Sequence, residues 1–346
     1  MRNLLFKLLG LLILLGSFLL GWLWMSYQGF MEGALHEQEE AVILEVAPGS
    51  SLYAIARELE RREWLKDARY FVWMARLKGD AERVRAGEYP VQPGTTPPQL
   101  LQQMVEGRVL QHSFTIIEGW SFRELSKQLQ RHPALRHTLD DPQEIMQQLG
   151  YPQLHPEGQF LPETYHFPRG FTDVQLLERA HRSLQQVLSR EWENRSDDLP
   201  LESPYEALIL ASIIERETGV AHERGEIAGV FVRRLQKGMR LQTDPTVIYG
   251  MGDSYQGRIL RRHLEQDTPY NTYTRHGLTP TPIAMPSAEA IHAALNPKDG
   301  DSLFFVARGD GSHHFSATYA EHREAVRRYQ LNRREDYRSF PAPVTQ

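Results

Sequence analysis

The sequence predicts an α+β protein carried behind a single N-terminal membrane-spanning helix, and three observations predict it. Leu4 to Met25 form an apolar run relieved only by Lys7, Gly10, Gly16, Ser17 and Gly21, and roughly 20 apolar residues suffice for a helix to cross the hydrocarbon of a bilayer. Short strand-like segments at 45–46, 87–91, 114–117 and 303–306 alternate with helices that carry cap signals. One of these helices, opening at Ser203, is apolar nearly all round and runs straight into two glutamates.

The apolar run exceeds the roughly 7–15 residues of a signal-peptide core, and no small-x-small cleavage site follows it, so the helix is expected to be retained. Trp22, Trp24 and Tyr27 read as an interfacial aromatic belt. Arg2 and Lys7 precede the span and Glu32, Glu37, Glu39 and Glu40 follow it, which by the positive-inside bias keeps the N-terminus cytoplasmic. The expectation is a single-pass protein of the bacterial inner (cytoplasmic) membrane with everything after about residue 28 in the periplasm or extracytoplasmic space. The remaining chain of roughly 300 residues exceeds one ordinary core. It divides by composition into 1–28 (tip and anchor), 29–110, a connecting α+β region at 111–200, and a mixed α+β domain at 201–340. There is no cysteine, which excludes a thiolate nucleophile and a Cys-type zinc site, and the formal net charge of −5 offers no footprint for nucleic acid. No metal or cofactor is expected.

In 29–110, Glu45-Val46-Ala47-Pro48-Gly49-Ser50-Ser51-Leu52 reads as strand, Pro-Gly turn and helix start, with Ser50 or Ser51 as N-cap. Leu52, Ile55, Ala56 and Leu59 have the spacing of one helical face. A second helix is predicted over Ala68 to Leu77, a strand over Gly87 to Val91, and a helix from about Pro98 to Val105. This opening resembles LysM-type glycan-binding modules, though a packing module would use the same elements. Further on, Ser121 and Glu124 form a capping box for a helix entered through Gly119. Between Asp140 and Gly170 the Pro, Gly and Gln content predicts an ordered loop, in which Glu157, Glu163 and Tyr165 could meet a sugar or simply be solvated. A helix from about Asp173 to Trp192 and a linker at 195–198 follow.

The helix from Ser203 starts with Pro204 at N1 and Glu206 at N3, and Gly219 is its expected C-cap. At about 100° per residue, Glu215 falls between Leu208 and Ala211, and Glu217 lies about 200° further round. Both carboxyls thus sit in apolar sectors, and burial raises a carboxyl pKa toward what a general acid needs near neutral pH. The alternative for either is an ion pair with Arg216, Arg224, Arg233 or Arg234, and periodicity does not choose between the two glutamates. After a helix over roughly His222 to Gln236, the loops at 238–250 and 267–273 combine amides, hydroxyls and aromatic rings, a set suited to neutral polyols.

Ala211-Ser212-Ile213-Ile214-Glu215-Arg216-Glu217-Thr218, Leu241-Gln242-Thr243-Asp244-Pro245-Thr246-Val247-Ile248-Tyr249-Gly250 and Tyr270-Asn271-Thr272-Tyr273 closely resemble the MltG (YceG-like) endolytic murein transglycosylases. The resemblance takes in the anchor, the LysM-like module, the loop from Glu157 to Tyr165 and the stretch Phe315 to His322. It departs at Gly277-Leu278-Thr279-Pro280-Thr281-Pro282-Ile283, where the family has Gly-Leu-Pro-Pro-Gly-Pro-Ile. The resemblance implies that Glu215 is the catalytic acid of a lyase cutting the MurNAc-GlcNAc bond within nascent peptidoglycan strands. It implies 1,6-anhydroMurNAc ends and a limit on strand elongation beside cell-wall synthases, the penicillin-binding proteins. Gln242, Asp244, Tyr249, Asn271, Tyr273 and Glu217 are the expected substrate-binding residues, with Asp244 equally able to cap a short helix beginning at Pro245. A lysozyme-like hydrolase would require Glu217 or Asp244 as second carboxylate, and a non-catalytic scaffold would be indifferent to Glu215. In the tail, Gly309-Asp310-Gly311 predicts a hairpin turn and Thr318 with Glu321 a capping box, while the adjacent His313 and His314 point to opposite faces of a strand.

Overall fold

The computed structural model describes residues 2–331 and resolves into two compact units. One takes in the chain up to His112 together with His166–Gly170; the other takes Ser113–Tyr165 and the chain from Phe171 on. The end of the segment expected at 201–340 lies outside the described residues.

The first unit opens with α1 (Arg2–Glu32), of which Leu9–Glu32 is long and apolar enough to cross a membrane. The helix passes the expected boundary at 28 because no proline interrupts it, and Phe30 and Met31 pack on the unit's core. Next come β1 (Val42–Val46), α2 (Leu52–Arg61), α3 (Ala68–Leu77), β2 (Gly87–Val91) and α4 (Pro97–Glu106). Ser51, not Ser50, caps α2, accepting from the Ala54 amide at 3.1 Å. β1 and β2 are antiparallel, with Val42 opposite Val91 and Val46 opposite Gly87. Strand β1 begins three residues before the expected segment, since its partner is long enough to pair with all of Val42–Val46. Leu44, Ile55, Leu59, Phe71, Met74, Val91 and Leu100 make the core, and the buried Tyr89 satisfies its hydroxyl on the Arg85 carbonyl at 2.6 Å.

The chain continues through β3 (His112–Thr115), α5 (Phe122–Leu129), the short α6 (Ile145–Gln148), β4 (Thr164–Phe167) and α7 (Asp173–Glu193). β3 and β4 form a two-stranded sheet. The predicted strand over 114–117 stops at Thr115 because Ile116 and Gly119 hand their amides to Glu163 and Met285 in neighbouring loops. The loop at 140–170 contains α6 and β4, so it is less irregular than its composition suggests.

The second unit is organised around α8 (Pro204–Glu217), whose Ala207 to Ile214 are all buried. α9 (Arg224–Gln236), α12 (Ala288–Leu295) and α7 surround it and contribute Phe231, Ile291 and Leu184 to one core. Truncating one such Leu or Ile to Ala costs about 2–5 kcal/mol. Between α9 and α12 lie α10 (Asp244–Met251) and α11 (Arg261–Glu265). An antiparallel hairpin, β5 (Phe304–Ala307) and β6 (His313–Ser316), and the capped α13 (Tyr319–Val326) complete the described residues with a π-helical turn at Arg327–Leu331.

Candidate active site

Helix α8 delivers Glu215 from its last turn to the wall of a cleft of about 580 Å³ that Glu118, Glu163, Arg216 and Arg224 also line. The Glu215 side chain is only 5% exposed. Its Oε2 accepts from the Ser287 amide at 2.9 Å and from the Ser287 hydroxyl. Its Oε1 lies 3.4 Å from Arg224 Nη2, and the same nitrogen is 3.4 Å from Glu118. Ser287 is the N-cap of α12, so the Glu215 carboxyl sits at the N-terminus of that helix. The apolar surround expected for Glu215 is therefore interrupted by three donors. Arg224, 13% exposed, opens α9, and its Nε finds no partner among the described residues. Glu118 is half exposed, and burial together with the Glu215 charge pushes its carboxyl above the usual carboxylate range.

One extended segment, Ile283 to Ser287, ties these pieces together. The Ile283 amide donates to Ser212 Oγ at 3.0 Å, and Ser212 in turn donates to the Ile209 carbonyl within α8. Met285 exchanges backbone hydrogen bonds with Gly119 and Trp120 at 2.9 and 2.7 Å, which holds the loop carrying Glu118. Two residues on, Ser287 reaches Glu215. Arg216 clamps the same loop through the Gly119 carbonyl at 2.9 Å. Helix α8 ends at Thr218, which adopts an extended conformation and accepts from the Val220 amide at 2.9 Å. Gly219, the expected C-cap, is not needed in that role.

Gly119 and Arg216 also border a second cleft of about 580 Å³, lined by Glu157, Tyr249, Tyr255 and Tyr270. Glu157 accepts from the Phe122 amide at 2.8 Å and hydrogen bonds with the Tyr249 hydroxyl, while burial pushes its carboxyl up to about 7. Tyr249 stands edge-on to Tyr270 with ring centroids 4.9 Å apart, and Tyr270 hydrogen bonds to Thr281 at 2.9 Å. Thr281 belongs to the stretch that departs from the family pattern. Tyr249 lines this second cleft and not the one that holds Glu215.

Gln242, Asp244, Asn271, Tyr273 and Glu217 do not line the Glu215 cleft. They form a cluster around the start of α10. Glu217, on the opposite side of α8 from Glu215 as the helical angle requires, accepts from Thr243 Oγ1, and burial with the nearby Asp244 charge pushes its carboxyl up to about 7. The cap of α10 is Thr243, and Asp244 instead accepts from the Tyr273 hydroxyl at 2.6 Å. Gln242 takes a left-handed φ of 52° as its amide reaches the Thr272 carbonyl at 3.2 Å. The buried Asn271 donates to the carbonyls of His263, Leu264 and Gln266 and accepts from the Tyr273 amide, so its whole amide group is spent on its own loop.

Ser287 and Glu118 were missed by sequence reasoning. Ser287 is visible as an N-cap signal before Ala288, but only the fold brings α12 to Glu215. Arg224 was among the four arginines weighed as carboxylate partners. The buried His313 is engaged by Glu223, which accepts from its amide at 2.8 Å and pairs with its Nδ1 at 2.8 Å.

The buried glutamate at the end of an apolar helix, ion-paired with Arg224 as one of the expected alternatives had it and set in a cleft wall, coincides with a match to the YceG-like family model over residues 44–328. The chain belongs to the YceG-like family. Among its relatives, the endolytic murein transglycosylase of Bacillus subtilis (strain 168) is 30% identical over 94% of this chain and 93% of its own length. That of Streptococcus pneumoniae serotype 2 (strain D39 / NCTC 7466) is 28% identical over 77% of this chain and 54% of its own. A crystal structure of a YceG-like protein, lmo1499 from Listeria monocytogenes, matches with a TM-score of 0.52 at 30% identity, over 83% of this chain and 99% of that one.

Proposed function

We propose that this chain is a membrane-anchored lytic transglycosylase that cuts the MurNAc-GlcNAc bond inside peptidoglycan strands, with Glu215 as its catalytic acid. The observation that carries the reading is the position of Glu215: a buried carboxyl on a cleft wall, one oxygen held by Ser287 and the other directed toward Arg224.

Protonated Glu215 gives its proton to the glycosidic oxygen as the C1–O4 bond breaks. The developing oxocarbenium charge faces the carboxylate left behind. The muramic acid 6-hydroxyl attacks C1, and Glu215 takes that hydroxyl's proton, regenerating the acid. The product is a 1,6-anhydro end, no water is consumed, and no metal or cofactor takes part. Tyr249 offers a ring face for the sugar, while Gln242, Asp244, Asn271, Tyr273 and Glu217 act by fixing the loops that border the clefts.

The first unit serves as a LysM-like glycan-binding module, a reading supported by its strand-helix-helix-strand order with one antiparallel pair. The apolar run that ends at Met25 anchors α1 in the cytoplasmic membrane, with the remainder of the chain outside the cytoplasm. There it meets nascent strands beside penicillin-binding proteins and limits their elongation.

The paired carboxylates favour one alternative. Glu118 and Glu215 share Arg224 Nη2, so the bonded oxygens lie within about 7 Å of one another, near the spacing of two-carboxylate glycosidases. A hydrolase would use Glu118, and not the expected Glu217 or Asp244, as its second carboxylate. Mass spectrometry of murein fragments made by the full chain, its Glu215→Gln variant and its Glu118→Gln variant decides. The transglycosylase reading expects internal anhydro ends from wild type and from Glu118→Gln and none from Glu215→Gln. Reducing ends that vanish in both variants would establish the hydrolase, and products unaffected by Glu215→Gln would overturn the assignment of the acid.

A further inference from the structure

Helix α3 carries an exposed face that the core does not explain. Its inner side, with Phe71, Val72, Met74 and Ala75, is buried. On the outer side Trp73 is 54% and Leu77 81% exposed. At about 100° per residue, Arg69, Tyr70, Trp73, Arg76 and Leu77 fall within an arc of about 120°. A soluble surface helix normally shows water a polar face. This one offers a tryptophan, a leucine and a tyrosine flanked by arginines, the composition of helices that lie in the headgroup layer of a membrane.

The position of this face within the first unit gives the patch its partner. Tyr70 packs against Phe30 near the end of α1 with centroids 5.7 Å apart, and Phe30 follows Tyr27 at 6.4 Å. Trp73 continues the row, edge-on to Tyr70 at 6.0 Å. An aromatic line therefore runs from the membrane helix onto α3. Phe30 lies five residues beyond Met25, which at 1.5 Å per residue is about 7 Å past the apolar run. That is about the thickness of one headgroup layer. Arg69 is engaged by Asp67 at 2.6 Å, while Arg76 and Lys78 are exposed cations at the helix end.

We propose that the Trp73–Leu77 face of α3 is a second membrane contact, lying in the headgroup layer beside α1 with its basic residues against anionic lipid. The proposal rests on the reading of α1 as a membrane anchor. Its consequence is mechanical: a single helix would leave the first unit free to swivel, whereas a helix lying flat beside it fixes that unit against the bilayer.

The chain has no cysteine, so a single introduced cysteine can be spin-labelled without background. The full chain would be reconstituted into vesicles of phosphatidylcholine with phosphatidylglycerol. Labels would be placed at Leu15→Cys in α1, Leu77→Cys on the proposed face, and Tyr53→Cys, exposed on α2. Relative accessibility to oxygen and to a water-soluble nickel chelate reports depth. The expected result is hydrocarbon depth at 15, headgroup depth at 77 and water at 53. Hydrocarbon depth at 15 with position 77 as aqueous as 53 overturns the proposal while keeping the anchor. An aqueous signal at 15 overturns both. A second measurement guards against perturbation by the label: with the interfacial Trp22 and Trp24 both replaced by Phe, Trp73→Ser should remove most of the remaining lipid-dependent quenching of tryptophan fluorescence by headgroup-proximal brominated lipid, and unchanged quenching overturns the proposal.

Discussion

Ser287 gives both its amide and its hydroxyl to one oxygen of Glu215, while its own hydroxyl oxygen caps α12 by accepting from the Ala290 amide at 3.2 Å. One side chain thus fixes the orientation of the proposed acid and the start of the helix that packs most closely on α8. Ser287→Ala should remove the hydroxyl but keep the amide. The expected outcome is a loss of roughly tenfold in turnover, the size of a contact worth about 1.4 kcal/mol, and a stability loss of about 1 kcal/mol from the missing cap. Ser287→Thr should recover most of both. Initial rates of anhydro-end formation and thermal melting check this, and a full-rate Ser287→Ala would remove Ser287 from the machinery.

Gly158 adopts a φ of +75°, and a Cβ there would collide with the Pro282 ring and come within 3.2 Å of the Ala284 carbonyl oxygen. The loop carrying Glu157 is thereby packed onto the segment that carries Ser287. Gly158→Ala should lower the melting temperature by several degrees, with at least about 1 kcal/mol from the backbone conformation alone. It should also slow catalysis, because Ile283 to Ser287 shifts as a unit. A variant as stable and active as wild type would show that the two segments yield independently.

Glu217 is held by burial at about 7 against an ordinary 4.5. Between those values the folded protein binds a proton that the unfolded chain has released, so stability falls as pH rises through this window. The full contribution is present only below pH 4.5 and is lost above about 7. Glu217→Gln keeps an acceptor for Thr243 and removes the titration. Its melting temperature relative to wild type should therefore be higher at pH 8 than at pH 5, by several degrees. Parallel melting curves across this range would mean that Glu217 titrates alike in both states.

Local signals were legible wherever the physics is local. Ser51, Ser121, Ser203 and Thr318 cap the helices that their spacing predicts, and α3 occupies the predicted Ala68–Leu77. Capping and periodicity involve residues within a turn or two, so composition and spacing suffice. The strand over 114–117 was cut short by partners at 163 and 285, far along the chain, which no local pattern announces.

For the site, the sequence by itself determined that α8 is a core helix ending in two carboxylates about 200° apart, since that follows from the helical period. The tertiary structure alone decided what each carboxylate meets. Glu215 faces Ser287, Arg224 and a cleft shared with Glu118, while Glu217 faces Thr243 and the loop that Asn271 holds. The environment of a buried carboxyl depends on which distant segments are packed against it, and the Ser287 that holds Glu215 lies 72 positions further along the chain.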